Sequence, residues 1–454
     1  MESLSKFITE NQSIQRVNAL KGKRKLYIVG GTVRDFILGI EPVDYDFAVS
    51  GSGIRFARSF ARKTKGAFVL LNKTDDEARV VTDNIIYDFI GIGKKDIKTD
   101  LKRRDFTINS MAVNCDTLEF YDPFNGAKDL KKGTLRMTTD QALKQDPLRV
   151  LRGFRFSIEL RLSLHKDFFK YAKQVSLNKV AAERIGYEML RIMAVPDSFA
   201  MILKMNSLGF FLQIYPEAKK IIEDDYLWNH SLRTYEALEH LMKDGFFKSI
   251  EPEFSLYFAE TKRVPLVKLA GLFHDVAKPD TLLVKNGEIH FYGHDTKGSR
   301  IMRKLGSKRL KMSRNDVNTA SKLVKEHMRL HLLATNSALT DRAIRRFFRD
   351  LGDDWFGAMM IAWADGYATA GWTKHLEQVF IRMIALKRVD DAKPKVEPLV
   401  NGYDLIALGL KPGPKFKVIL QELLDLQLEE KIKTKEEGLE IALDIDQRFS
   451  EPPS

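Results

Sequence analysis

Residues 25–51, KLYIVGGTVRDFILGIEPVDYDFAVSG, decide the fold. A short apolar run, KLYIV, ends in the Gly30–Gly31 turn, and TVRDFILGI continues at helical spacing. YDFAVSG then reads as a second strand and GIRFARSFARKTKG (53–66) as a second helix. Working outward, AFVLL (67–71), ARVV (78–81), IIYDFIGI (85–92) and AVNCDTLEFYDP (112–123) read as further strands. The pattern predicts an α/β unit on a mixed or mostly antiparallel sheet. Beyond about residue 138 strand signals nearly stop. DPLRVLRGFRFSIEL (146–160), AAERIGYEMLRIMA (181–194) and DSFAMILKMNSLGFFLQI (197–214) carry apolar residues at helical spacing. DAKPKVEP (391–398) reads as a linker, and the helical unit after it is broken at KPGP (411–414). The expected class is α+β: an N-terminal α/β head on a mixed sheet, then an all-helical remainder.

The chain has 454 residues, enough for about three domains. At 44% hydrophobic and 30% charged residues, neither a disordered nor a collagen-like chain is expected. No apolar run approaches the ~20 residues that span a bilayer, and MESLSKFITENQSIQRV (1–17) has no apolar segment of a secretory signal. One cysteine, Cys115, excludes a disulfide framework and a cysteine-based zinc finger. These features predict a cytoplasmic protein with no membrane partner. The net charge of +13 suits a polyanionic partner, with a plain solubility charge as the alternative.

Gly30 and Gly31 join a strand to the helix carrying Arg34 and Asp35, where backbone amides can approach a phosphate. Asp44 and Asp46 stand two apart at a strand start, so both project to one face. Crowded carboxylates need a cation between them, and hard oxygen ligands suit Mg²⁺ shared with substrate phosphates. A bare pair would read as surface aspartates, but the glycine turn and arginine just upstream favour a nucleotide site. Lys102, Arg103, Arg104 and Asp105 add cations for a triphosphate and an acid for a ribose hydroxyl. Arg149, Arg152 and Arg155 recur every three residues and are expected along one helix face.

IVGGTVRD (28–35), DYDFAV (44–49), RRDFTINSMA (103–112), YDPFNGAKDLKKGTLR (121–136), DPLRVLRGFRF (146–156) and AAERIGYE (181–188) together resemble the class II tRNA nucleotidyltransferase and poly(A) polymerase family. PLVNGYDLIALGLKPGPKFKVIL (398–420) resembles the family's tail. The resemblance implies a nucleotidyltransferase head (1–138), a nucleotide-selecting neck (139–195), a helical body (196–390) and a tRNA-binding tail (391–454). It makes Asp44 and Asp46 the Mg²⁺ ligands and catalytic carboxylates. Gly31 and Arg34 would bind the triphosphate, and Arg104 with Asp105 would hold phosphate and ribose. Asp146 and Arg149 would read the incoming base, with Arg152 and Arg155 completing the pocket. Gln145 stands where the family has a glutamate that helps orient the arginine.

Members that add the whole CCA end resemble one another in a flexible loop before RRDFT. Here that interval is IIYDFIGIGKKDIKTDLKRRD (85–105), with only GIGKK in the loop's place. The expectation is therefore CC addition to tRNA from CTP, releasing pyrophosphate. Full CCA addition using CTP and ATP, or a phosphohydrolase with a nucleotide-binding head, are the alternatives. In the body, LAGLFHDVAKPDT (269–281) resembles an HD-type phosphohydrolase domain. By motif position His230, His274, Asp275 and Asp365 would bind a second divalent metal, with His294 and His327 nearby in sequence motifs of their own. The alternative is a set of buried, hydrogen-bonded histidines.

Overall fold

The computed structural model describes residues 2–260, 262–335, 339–392, 397–429 and 431–448. Of the expected linker at 391–398, residues 393–396 lie outside these. Two short helices, Glu2–Glu10 and Gln12–Leu20, precede the sheet. The first strand and helix are β1 (Leu26–Val29) and α1 (Gly30–Ile37). They are followed by β2 (Asp44–Ser50), α2 (Gly53–Thr64), β3 (Ala67–Asn72), β4 (Glu77–Thr82) and β5 (Ile85–Gly93). Helix α3 (Ile97–Lys102) and the short strands β6 (Ala112–Asn114) and β7 (Phe120–Tyr121) complete the unit. AVNCDTLEFYDP is thus a hairpin of two strands. The turn between them, with Leu118 in the left-handed region, reverses the chain.

The seven strands lie in the order β3-β4-β5-β2-β1-β6-β7. β2 and β5 pair in parallel, and every other neighbour is antiparallel. Strand alternation sorts β2 into two faces. Tyr45, Phe47 and Val49 join the main core with Phe56 and Phe60 of α2. Ala48 packs in a smaller cluster with Tyr27, Val29, Ile97 and Leu101 on the opposite face. Asp44 and Asp46 share that second face, where α3 covers one end of the sheet and the rest opens into a cleft.

The helices that matter to the cleft are α4 (Arg149–Glu159) and α5 (Ala182–Ala194). The body is built on α6 (Asp225–Lys243), α7 (Arg263–Leu272), α8 (His294–Lys304), α9 (Arg314–Thr335) and α10 (Trp355–Ala370). One buried cluster runs continuously from the head to Ile384, whereas Val400 to Ile445 form a separate small core. The basic stretch 300–314 is a helix end, a π-helical turn at Leu305–Arg309 and the start of α9. No described helix is long and apolar enough to cross a membrane.

Candidate active site and a candidate metal centre

The glycine turn and the carboxylates meet as closely as their chemistry allows. Gly30 takes φ +63°, and a Cβ there would lie 2.7 Å from Arg104 Nη1 and 2.9 Å from Asp46 Oδ2. That conformation and that crowding together require glycine. The Gly31 N–H donates to Asp46 Oδ2 at 2.8 Å, and the Asp46 N–H donates to the Thr32 hydroxyl at 2.7 Å. Thr32 in turn donates to the Asp44 carbonyl at 3.3 Å. Helix α1 is therefore pinned to β2 at the two carboxylates.

Burial, then the charges of Asp44 and Asp88, raise the Asp46 pKa to about 6 against the opposing Arg104. A carboxylate held in surplus negative charge fits a hard divalent cation, so these residues suit magnesium. Asp88 was not anticipated: it faces Asp46 across the parallel β2–β5 register and is held by a two-pronged pair with Arg79 at 2.7 Å. Register between distant strands is not written in local spacing.

The cleft over this face has a volume of about 810 Å³. All the sequence-expected residues of the head and neck line it: Gly31, Arg34, Asp44, Asp46, Arg104, Asp105, Asp146, Arg149, Arg152 and Arg155. Their partners divide their roles. Arg34 donates to Asp35 and to Asn109 Oδ1, both at 2.7 Å, and Arg104 is anchored by Asp100 at 3.0 Å. Asp105 is engaged within the protein, by Arg152 at 2.7 Å, Asn109 at 3.0 Å and the Phe106 N–H at 2.8 Å. Burial works to raise its pKa, but Arg152 and Asn109 outweigh it and hold Asp105 down at about 2.

The three arginines of α4 all reach the cleft, spread over an arc of about 120° because steps of three fall short of a 3.6-residue turn, and each has different partners. Arg149 donates to the carbonyls of Arg103 at 2.6 Å and Ala142 at 3.2 Å. Arg152 turns to Asp105, and Arg155 turns to Glu188 and Glu159, each at 2.6 Å. Phe156 lies beneath the guanidinium groups of Arg34, Arg152 and Arg155. Asp146 pairs with Arg184 of α5 at 2.7 Å rather than with Arg149. Arg184 and Arg191 carry α5 into the cleft, whereas Glu188, one turn on from Arg184 in AAERIGYE, is buried against Arg155. Tyr187 lines the cleft with 58% of its surface exposed.

The body gathers a second cluster. Asp275 Oδ2 lies 3.6 Å from His230 Nε2 and 3.2 Å from His274 Nε2, and Asp365 Oδ1 lies 3.0 and 3.5 Å from the same two nitrogens. His294 and His327 join through Asp275 Oδ1, at 3.5 and 3.7 Å. His331, not anticipated, stands 3.0 Å from Asp365 Oδ2. His274, His294 and His327 each place Nδ1 against a backbone carbonyl three residues earlier, at 2.7–2.8 Å. That bond fixes the ring and turns Nε2 inward, the arrangement typical of metal-binding imidazoles. Burial works to strip the proton from His274, but Asp275 and Asp365 outweigh it and raise its pKa to about 10. Burial and the charge on His274 lower His327 to about 4. The carboxylates of Asp275 and Asp365 thus favour positive charge at His274, between them.

Comparison with known proteins gives matches over both regions of the chain. The Poly A polymerase head domain matches residues 26–136, and the HD domain matches residues 227–366. The A-adding tRNA nucleotidyltransferase of Deinococcus radiodurans is 30% identical over 425 residues, covering 90% of this chain and 93% of the relative. The CC-adding tRNA nucleotidyltransferase of Synechocystis sp. is 26% identical over 430 residues, covering 92% and 93%. Among solved structures, the Thermotoga maritima CCA-adding enzyme complexed with tRNA superposes with a TM-score of 0.64 at 21% identity, over 97% of this chain and 98% of that one, a likeness of fold. With its glycine turn, paired carboxylates and near full-length relatives, the chain belongs to the tRNA nucleotidyltransferase family.

Proposed function

We propose that this chain adds two cytidylates to the 3′ end of tRNA from CTP, releasing pyrophosphate, without a nucleic-acid template. The observation that carries the CC reading is the connection between β5 and α3. Only Lys94, Lys95 and Asp96 separate Gly93 from Ile97, leaving no room for the flexible loop of CCA-adding relatives. Asp44 and Asp46 hold magnesium, with Asp88 as a neighbouring carboxylate. The bound ion supplies positive charge to the nucleotide's phosphates. Gly31 and Arg34 receive the triphosphate at the start of α1, and Arg104 adds charge from the other side of the turn. Asp105 positions Arg152. Arg149 and Asp146 offer donors and an acceptor that match the N3 and N4 edge of cytosine, with Arg155 bracing the pocket. The 3′ hydroxyl attacks the α-phosphorus, a new P–O bond forms, and the bond to pyrophosphate breaks.

In this reading the neck, body and tail hold tRNA mainly through its phosphates. The test offers tRNA transcripts lacking the last three nucleotides together with CTP and ATP. Products should stop at CC, and Asp44→Ala with Asp46→Ala should give no incorporation. A product carrying a terminal A would replace the CC reading with CCA addition. Incorporation surviving in the double variant would overturn the site.

A second reading concerns the body, and the inward-facing Nε2 atoms favour it. His230, His274, Asp275 and Asp365 hold a first-row divalent ion, which suits phosphohydrolase chemistry. Metal analysis of the purified chain should find the ion, and His274→Ala should lose it.

A further inference from the structure

Four aromatic side chains line the cleft, and three of them are taken up by packing. Phe47 and Phe89 are buried in the core of the sheet, and Phe156 is buried beneath Arg34, Arg152 and Arg155. Tyr187, 58% exposed, is the one aromatic ring of the cleft with an open face among the described residues. Single exposed aromatics are ordinary on a protein surface, but this one is held in place. Arg191 Nη1 donates to its hydroxyl at 3.0 Å, and Arg191 is itself fixed by Glu159 of α4 at 2.8 Å. At 100° per residue, Arg184, Tyr187 and Arg191 fall within about 60° of one another on α5, and all three line the cleft. The ring stands about 4.5 Å along the helix from Arg184, the partner of Asp146. The Arg79 guanidinium, raised in pKa first by its bond to Asp88, also feels Asp44 and the Tyr187 hydroxyl, so the ring stands on the carboxylate side of the cleft. The cavity does not end there. Glu159 and Arg191 also line a groove of about 710 Å³, together with Arg161, Val195 and Pro196.

We propose that Tyr187 is the platform on which the terminal base of the tRNA acceptor end stacks while its 3′ hydroxyl faces the carboxylates. This role rests on nucleotide addition to tRNA by the head, and it supplies the residue that positions the acceptor. An aromatic face suits the task for a chemical reason. The terminal base differs from one tRNA to another, and it changes again once the first cytidylate is added. Hydrogen bonds to a base edge would favour one of these ends over the others. Every base has a π-face, so stacking accepts them all. The polar edges of Arg184 and Asp146, one turn earlier on the same side, suit the incoming base instead. A ring already held by Arg191 loses little freedom when a base settles on it. The groove past Arg191 gives the strand behind that base room to leave, and the exposed Arg161 there can meet a phosphate.

The test uses the full chain and a tRNA transcript that lacks its last three nucleotides and ends in 2-aminopurine. Stacking quenches this base. Its emission in the complexes with wild type and Tyr187→Phe should therefore be at least about twofold below that in the complex with Tyr187→Leu. In steady-state incorporation with the ordinary transcript, Tyr187→Leu should lower kcat/KM for the tRNA about tenfold. KM for CTP should stay within about twofold of wild type. Tyr187→Phe keeps the face and should stay within about threefold of wild type throughout. Equal emission in all three complexes would overturn the platform. A raised KM for CTP in Tyr187→Leu, with kcat/KM for the tRNA unchanged, would place the ring under the incoming base and overturn it as well. Equal losses in the phenylalanine and leucine variants would assign the effect to the hydroxyl's bond with Arg191 rather than to the ring. If wild type bound the tRNA but incorporated no CTP, the reading of nucleotide addition would fall, while the emission comparison would still decide where the terminal base lies.

Discussion

Asp46 illustrates a side chain kept for chemistry at the expense of stability. Its pKa of about 6 in the folded protein, against 3.8 for an ordinary aspartate, means that folding favours its protonated form. The stability this group contributes is full below the ordinary carboxylate range and is lost as pH rises through about 6. At pH 7.5 the loss amounts to as much as about 3 kcal/mol. Asp46→Asn still offers Gly31 an acceptor, so the metal-free variant should be about 1–3 kcal/mol more stable than wild type at pH 7.5 in urea unfolding. It should also lack the wild type's decline between pH 4 and 6, and it should incorporate no CTP. A variant less stable than wild type at pH 7.5 would contradict this account. Magnesium should raise the melting temperature of wild type and leave the asparagine variant unmoved. Gly30→Ala combines a disfavoured φ with a clash against Arg104 and Asp46, and should cost about 1–3 kcal/mol along with most of the activity. Asp44, Asp46 and the glycines were legible because strand alternation and a turn are local signals. Asp88 was not, because its place depends on which strand lies beside β2.

At the scale of elements, α4 and α5 are joined by an ion lock inside the protein. Arg155 and Glu188 have side chains only 3% and 2% exposed and meet at 2.6 Å. Removing Glu188 leaves the buried Arg155 with only the more exposed Glu159 to answer it, so Glu188→Ala should destabilise the chain by up to about 3–5 kcal/mol in urea unfolding. Glu159→Ala removes a partner that is more exposed and should cost about 1 kcal/mol or less. Equal losses in the two variants would show that the lock is not where the stability lies. The helices themselves could be read from apolar spacing, and the period of three brings Arg149, Arg152 and Arg155 to one cleft, but their separate partners could not be read from it. The pairing of Asp146 with Arg184 was equally hidden, because 38 residues separate them and only the packing of α4 on α5 brings them together.

For the whole molecule, the charge of +13 fits the proposed function, in which release of counterions drives much of tRNA binding. The logarithm of the association constant should fall linearly with the logarithm of salt concentration, with a slope that Asp44→Ala and Asp46→Ala leave unchanged. A flat salt profile in filter binding would refute a phosphate-dominated interface. The class of the fold was legible from end to end, since the change from alternating to helical patterning near residue 138 is a property of the sequence itself. The body's cluster of histidines and aspartates was legible only in part. His230, His274, Asp275 and Asp365 stand in a motif, whereas His331 enters only because α9 lies against α10. Helix α5 has a further meaning at this scale. Its Gly186 lies so close to the Leu310 carbonyl that a Cβ would sit 1.9 Å from that oxygen, while Arg184 and Tyr187 on the same helix line the cleft. In the proposed function the arm that selects the nucleotide is therefore packed tightly on the torso behind it, and a template of fixed posture would require the acceptor strand to slip back after each addition.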